Sequence, residues 1–380
     1  MTITPGAGPR SPMFLPELDV MRGAAILWVM YLHVYFSGWA SSPEWEGWFL
    51  RVTHLLAHGA VPVFLFISGV LVTRATARGF LSFASKRARR VLVPGLTWLT
   101  LALAWEAWRA GGLSRDLIEA YLLFDISGQF YYLVVLVTLT VAAYGWLRAP
   151  ASILTRVAVV AVVVSAVTTA WYEQQTLSGT FAIVAYRNPL VWCGFFAMGM
   201  AASRRWPGLR WPRTVTLVAS LVMVLAAAVY LYGYGAQGYT PQSYFGVTVF
   251  TFSAASLFVW PAVARRALTS ELPAVARAAR GAAWLAPYAF ALYLVHKPYF
   301  VGWLSDRVVS DTVLAEDYVR LMLGLFVVGA GASLAFVVAL GRVWPWGARV
   351  LVGVERPSPG IRAQREDALR AAGGAMPDGK

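Results

Sequence analysis

Ten long apolar runs constrain the fold of this chain more than any other feature. Each holds about the 20 mostly apolar residues that an α-helix needs to cross a bilayer. The runs are 17–38, 52–73, 91–109, 129–147, 157–173, 183–203, 214–233, 244–264, 283–304 and 319–341. Arg187, Asn188 and Pro189 interrupt the start of the sixth run. We therefore expect an all-α, polytopic membrane protein with about ten transmembrane helices.

The composition agrees with a surface that faces lipid. Hydrophobic residues make up 59% of the 380 residues and charged residues 13%, against about 45–50% and about 25% in soluble domains. The net charge of +14 raises the possibility of nucleic-acid binding. However, the basic residues lie in short loops between apolar runs, which is typical of a membrane protein. We expect no nucleic-acid partner. The chain has one cysteine, Cys193, so an internal disulfide is excluded.

The charges of the loops predict the topology. The loop after the second run has six basic residues and no acid: Arg74, Arg78, Lys86, Arg87, Arg89 and Arg90. Loops on the opposite side are richer in acids, as in Asp306, Asp311, Glu316 and Asp317. Because basic loops stay on the cytoplasmic side, both termini are expected there. Ten crossings agree with this, since an even number places both termini on the same side.

This topology divides the chain into three parts. Residues 1–14 are expected to be a cytoplasmic segment, 15–341 a single transmembrane domain, and 342–380 a cytoplasmic tail that is partly disordered. The first run shows no cleavage site of small residues, so we interpret it as a retained helix. The expected location is the cytoplasmic (plasma) membrane.

The first run carries ionisable residues, which are costly in lipid and often functional. Arg22 and His33 are eleven residues apart, so they share one helix face, about 16 Å apart. Asp19, three residues before Arg22, is placed to pair with it. Arg22 near the inner surface suits phosphate groups. His33, near mid-membrane, is expected to be neutral, because desolvation disfavours its charged form, and able to accept a hydroxyl proton. A helix–helix hydrogen bond from His33 and an interfacial anchor at Arg22 are the alternatives.

The basic loop ends in a second candidate site. Arg87 and Arg90 are three residues apart, so they share a face near Arg22. They suit the pyrophosphate and 3′-phosphate of a nucleotide. The alternative is ordinary binding of anionic lipid headgroups.

Other polar residues permit weaker predictions. His54 and His58 have a metal-compatible spacing, but no third ligand is near, so we expect no metal. His58 is better interpreted as lining a hydroxyl-binding cavity. Ser68 lacks the G-x-S-x-G pattern of a nucleophile. Lys297, beside His296, is expected to snorkel towards the membrane surface.

Four motifs in order resemble those of the acyltransferase 3 family of membrane proteins. Residues 18–23 (LDVMRG) followed by His33 resemble its Arg-x10-His motif, and residues 61–69 (VPVFLFISG) resemble its "VPxFFxISG" segment. Arg87 and Arg90, followed by Pro94, are similar to its cytoplasmic R-x-x-R motif. Residues 293–296 (YLVH) are similar to its late "YLxH" segment. The resemblance spans residues 15 to about 341.

The resemblance implies transfer of an acyl group, with acetyl-CoA the expected form of acyl-CoA, from the cytoplasmic side to a hydroxyl of a glycan or other surface acceptor. It implies that His33 is catalytic and that Arg22, Arg87 and Arg90 bind the donor, with Asp19 orienting Arg22. The candidate substrate-binding residues are His58, Ser68, Gln129, Tyr132, Tyr293 and His296. Residues 127–133 (SGQFYYL) lack the glutamate of the family's "WSLxxE" segment. That places the chain nearer to polysaccharide-modifying and intercellular-adhesin export members.

The main hypothesis is O-acyl transfer, either directly to a hydroxyl that His33 deprotonates or through a transient acyl-His33. It leads us to look for one cavity that joins Arg87 to His33. A transporter or exporter of a polysaccharide or lipid-linked sugar is the alternative, although few charges are available for a polar pathway in the outer halves of the runs. The ordered motifs argue against a purely structural scaffold.

Overall fold

The computed structural model describes residues 15–34, 44–74, 79–237, 244–301, 304 and 318–353. Within these ranges the regular structure is helical and contains no strand. The α-helices are α1 (Pro16–Leu32), α2 (Glu44–His58), α3 (Ala60–Val72), α4 (Phe80–Arg87), α5 (Val93–Arg109), α6 (Arg115–Leu122), α7 (Tyr131–Ala143), α8 (Ala151–Glu173), α9 (Gly179–Arg187), α10 (Pro189–Arg205), α11 (Arg213–Gln237), α12 (Val247–Leu268), α13 (Pro273–Leu285), α14 (Ala289–Val295), α15 (Tyr318–Val343) and α16 (Pro345–Leu351).

The prediction of an all-α polytopic membrane protein is confirmed. Among the described residues, eight helical stretches are long and apolar enough to cross a membrane: 47–72, 80–109, 128–146, 151–173, 179–205, 213–233, 247–268 and 318–343. The other two predicted runs coincide with α1, which is 17 residues long, and with the broken segment that contains α14.

Several predicted boundaries were wrong, and a proline explains one of the differences. The run 183–203 is divided into α9 and α10 at Asn188, whose side chain caps α10 by accepting from the Leu190 amide at 3.0 Å. Pro189 then begins α10, where its missing N–H costs nothing. The first run, predicted to continue to 38, ends as an α-helix at Leu32.

Two π-helical turns lie beside prolines and hold candidate site residues. Residues Ala88–Leu92 form a π turn between α4 and α5, just before Pro94. Residues His296–Val301 form another after α14 and include Pro298. Such turns are rare in proteins overall, but those that occur are often found at functional sites. The segment around Arg87 and Arg90 is thus helical, not the loop expected from the sequence.

The first helix lies inside the bundle, where it packs against α3, α12 and α13. Most of its residues are buried, including Ile26 and Met30. Gly23 permits the close contact with α13, because a Cβ there would overlap the backbone carbonyl of Ala282. By contrast, α8 and α11 expose rows of Val and Leu side chains, as expected of faces that meet lipid.

The start of the predicted tail is ordered against the bundle. The helix α16 packs on α5, and the Trp98 indole donates to the Leu351 carbonyl at 2.6 Å. The predicted N-terminal segment 1–14, the tail beyond 353 and the predicted acidic loop residues between 305 and 317 lie outside the described residues.

Candidate active site

A cavity of about 440 Å³ lies between α1, α3, α4, α7 and residues 286–293. Six of the predicted site residues line it: Arg22, Arg87, Arg90, Ser68, Tyr132 and Tyr293. Apolar side chains, such as Phe64, Leu136 and Phe290, form most of the remaining wall. The volume falls within the range of about 300–1,000 Å³ that is usual for small-molecule sites.

Three arginines from three elements line this cavity. Arg22 projects from α1, while Arg87 and Arg90 lie at the junction of α4 and its π turn. The guanidinium of Arg87 lies over the Phe83 ring, 5.7 Å from its centroid. Arg89 does not line the cavity; its guanidinium donates to Ser85 within the same helix at 2.8 Å. The arrangement concentrates positive charge on a cavity with apolar walls.

Aromatic residues form another part of the lining. The rings of Tyr132 and Tyr293 have centroids 5.4 Å apart. The Tyr293 hydroxyl donates to the backbone carbonyl of Gln129, which ties α14 to the turn before α7. Ser68 donates its hydroxyl to the Phe64 carbonyl at 2.8 Å. This is the usual bond of a helical serine to the carbonyl four residues earlier.

His33 lies behind this aromatic wall and does not line the cavity. Its ring packs against that of His296, with centroids 5.0 Å apart and planes inclined by 39°. The His296 ring in turn lies 6.4 Å from that of Tyr293. The cavity that we looked for between Arg87 and His33 is therefore interrupted in the described residues by Tyr293 and His296.

The two ring nitrogens of His296, the histidine of the late motif, differ in their contacts. His296 Nδ1 lies 2.9 Å from the Leu292 carbonyl and 3.0 Å from that of Tyr293. Because a carbonyl only accepts, Nδ1 carries the proton and Nε2 has a lone pair. Nε2 is buried and lacks a hydrogen-bond partner among the described residues. Two imidazoles therefore meet in one place, and one of them offers an unused acceptor.

A family model for an acyltransferase domain matches residues 15–342, nearly the whole chain. The chain belongs to the acyltransferase 3 family. It is therefore a membrane acyltransferase, which requires an acyl donor and an acceptor. Comparisons with curated proteins and with solved structures found no match.

The acyltransferase places a lysine beside its two histidines, which the sequence analysis did not anticipate. A Cβ built on Gly128 would lie 3.3 Å from Lys297 Nζ. Lys297 directly follows His296, whose ring packs against that of His33. Lys297 is partly buried and its Nζ lies towards Gly128, the first residue of a candidate membrane span, so the expected snorkelling stays a prediction. Its position next to His296 within an apolar run was the only available signal.

Other predicted residues of the acyltransferase lie away from the cavity. His58 packs against His54 and Tyr244, with ring centroids at 4.1 and 4.7 Å, and its Nδ1 lies 2.8 Å from the His54 carbonyl. Gln129 is buried beside the Tyr293 hydroxyl. Asp19 lies one turn before Arg22 on α1, and its orienting role stays a prediction. Among the described residues, no cluster of His, Cys, Asp and Glu has a metal-binding arrangement.

A partly buried ion pair at the N-terminal end of α1 was also missed. Glu17 is 5% exposed, and it accepts from Arg265 of α12 at 2.9 Å. Arg265 also donates to the Leu209 carbonyl at 3.3 Å. This contact links α1, which carries Arg22, to α12.

Proposed function

We propose that this acyltransferase moves an acetyl group from cytoplasmic acetyl-CoA to a hydroxyl of a glycan or another surface acceptor, in the cytoplasmic membrane. One observation carries the proposal. A cavity lined by three arginines and by apolar side chains ends at the aromatic wall behind which His33 lies.

The cavity suits a CoA thioester because its lining combines two kinds of surface. Arg22, Arg87 and Arg90 offer planar guanidinium forks that match the pyrophosphate and 3′-phosphate. The apolar walls suit the pantetheine arm, which has few charges to desolvate. In this arrangement the nucleotide lies at the arginines and the thioester points towards Tyr293.

The chemical step is the attack of an acceptor hydroxyl on the thioester carbonyl. His33 takes the hydroxyl proton as the oxygen forms its bond to the carbonyl carbon. The carbon–sulfur bond then breaks, and the CoA thiolate recovers the proton from His33. An ester and free CoA leave, and the imidazole returns to its neutral form. In the second route the neutral His33 imidazole attacks the thioester carbonyl, and the carbon–sulfur bond breaks with CoA leaving as the thiolate. The acceptor hydroxyl then attacks the acyl-imidazolium, its proton passes to the thiolate, and the neutral imidazole leaves.

The step requires the thioester to pass the aromatic wall. The cavity ends at Tyr132 and Tyr293, and His296 separates Tyr293 from His33. We therefore expect these rings to turn aside when the donor binds. Gln129, His296 and, further away, His58 are the proposed contacts of the acceptor.

The experiment compares O-acylation of surface glycans by mass spectrometry in cells with the gene, without it, and with His33→Ala. The amount of protein in the membrane fraction is measured in parallel. We expect the acetyl groups to disappear with the gene and with His33→Ala, while the variant still inserts. Full acetylation by His33→Ala would overturn the mechanism.

A further inference from the structure

Lysine is rare in this chain, and one lysine lies beside the histidine pair. Lys86, Lys297 and Lys380 are the only lysines among 32 basic residues. Lys86 is exposed on α4, whereas Lys297 lies in the π turn that His296 begins. Arginine therefore serves nearly every other basic position, including the three on the cavity.

The ammonium of Lys297 lies close to Gly128 and has no ion-pair partner in the part of the chain that the structure describes. Its Nζ lies against Gly128, where any side chain would crowd it. No ion pair of Lys297 is found within the described ranges. Lys297 interacts electrostatically with Asp125, beyond ion-pair distance. The Asp125 carboxylate instead pairs with Arg187 at 2.9 Å.

Two other polar groups, on residues adjacent in the chain to Lys297 and to Gly128, are buried and have no hydrogen-bond partner among the described residues. One is His296 Nε2, on the residue before Lys297, and the other is the side-chain nitrogen of Gln129, next to Gly128. The Gln129 side-chain oxygen already accepts from Ser127 at 2.5 Å. Buried polar groups are normally satisfied, so unused ones call for an explanation such as a catalytic role.

A partly buried ammonium without an ion-pair partner is suited to binding an anion that forms only during the reaction. Burying a charge without a partner is costly, and ionisable residues within membrane segments usually mark function. Acyl transfer creates such an anion, because the thioester oxygen becomes negative when the carbonyl is attacked. A compact ammonium with three N–H donors suits a single oxygen atom. The planar guanidinium fork instead matches two oxygen atoms at once.

We propose that Lys297 is a catalytic residue, whose Nζ donates a hydrogen bond to the oxyanion formed at the thioester carbonyl next to His33. The proposal rests on the acyl transfer proposed above. The carbonyl electron pair moves to oxygen as the carbon–oxygen bond forms, and it returns as the carbon–sulfur bond breaks. The ammonium keeps its protons throughout, since His33 carries the only proton that moves.

The test uses membrane vesicles from cells that lack their own copy of the gene and express one variant each. The probe is [14C]acetyl-CoA, and the acceptor is the glycan present in those membranes. Initial rates give a maximum rate and a KM for acetyl-CoA, and filter binding gives donor affinity. The variants are Lys297→Gln, Lys297→Arg and, as a control with the same change of charge at an exposed position, Lys86→Gln.

Loss of one oxyanion donor typically lowers kcat by about 10²–10³-fold, so we expect a loss of that order for Lys297→Gln. KM and binding of acetyl-CoA should stay close to those of the wild type, because the contact forms after the donor binds. Lys297→Arg should recover part of the rate, and Lys86→Gln should match the wild type.

The proposal is overturned if Lys297→Gln keeps a rate close to that of the wild type. It is equally overturned if rate and donor binding fall together, or if Lys297→Arg inserts normally but recovers no rate. If Lys297→Gln fails to insert, the test rests on Lys297→Arg. A reduced but measurable rate of that variant supports the proposal, and the absence of any rate overturns it. His33→Ala separates the two claims: a normal rate there contradicts the proposed function, whereas a lost rate there with a normal Lys297→Gln contradicts this inference alone.

Discussion

The imidazole rings of His33 and His296 face each other with centroids 5.0 Å apart, although 263 positions separate them in the sequence. His33 follows the last turn of α1, and His296 begins the π turn after α14. The first and the ninth apolar runs therefore meet at their candidate site residues. This contact joins the Arg-x10-His motif to the late motif and gives the acyltransferase a second imidazole beside the first.

The arginines of the α4 segment should differ in importance according to where they point. Arg87→Ala should raise the KM for acetyl-CoA, by about 10-fold or more if one charge-assisted bond worth about 1.5–3 kcal/mol is lost. Arg89→Ala is the matched control, since Arg89 bonds to Ser85 and does not line the cavity. Equal effects of the two substitutions on KM would show that the segment acts through its overall charge.

The crossing of α3 and α10 should tolerate no added carbon. A Cβ on Gly69 would overlap the Phe196 carbonyl oxygen, and one on Gly199 would overlap that of Phe66. Gly69→Ala should therefore cost about 1–3 kcal/mol of stability through overpacking, measured as a lower melting temperature in detergent. Gly281→Ala, where the added carbon meets no atom within 4 Å, should not lower the melting temperature. A melting temperature for Gly69→Ala that matches the wild type would contradict the close crossing.

The pair formed by Glu17 and Arg265 should contribute more stability than a surface pair. Replacing Glu17 with Ala removes a partner of the partly buried guanidinium, and we expect a loss of about 1–3 kcal/mol. Glu106 and Arg109 are a more exposed pair at 3.6 Å, and Glu106→Ala should cost less than about 1 kcal/mol. Unfolding in detergent with a double-mutant cycle measures both pairs. A coupling energy for the first pair no larger than for the second would contradict this expectation.

The number and rough position of the membrane segments could be predicted because hydrophobicity and helix length are local properties. The breaks within the helices were harder to predict. Pro189 permitted a prediction of a disturbed helix, but the π turns at Ala88–Leu92 and His296–Val301 depend on how each chain segment packs. The return of residue Gly353 to the cavity wall also needed tertiary structure.

The sequence allowed candidate residues of the site to be named, but it did not allow their spatial arrangement to be predicted. Helical spacing placed Arg22 and His33 on one face, but no spacing rule relates His33 to a residue more than 260 positions away. The position of Lys297 was not predictable for a similar reason. Its Nζ lies close to Gly128, a residue far from it in the sequence.

Labelling of sealed vesicles with [14C]acetyl-CoA tests the central claim most directly. Vesicles of each orientation receive the donor on the outside only, and ester-linked label on the glycan is measured for the wild type and for His33→Ala. The account predicts labelling only when the donor reaches the face that carries Arg87 and Arg90, and none with His33→Ala. Equal labelling from both faces, or undiminished labelling with His33→Ala, would contradict it.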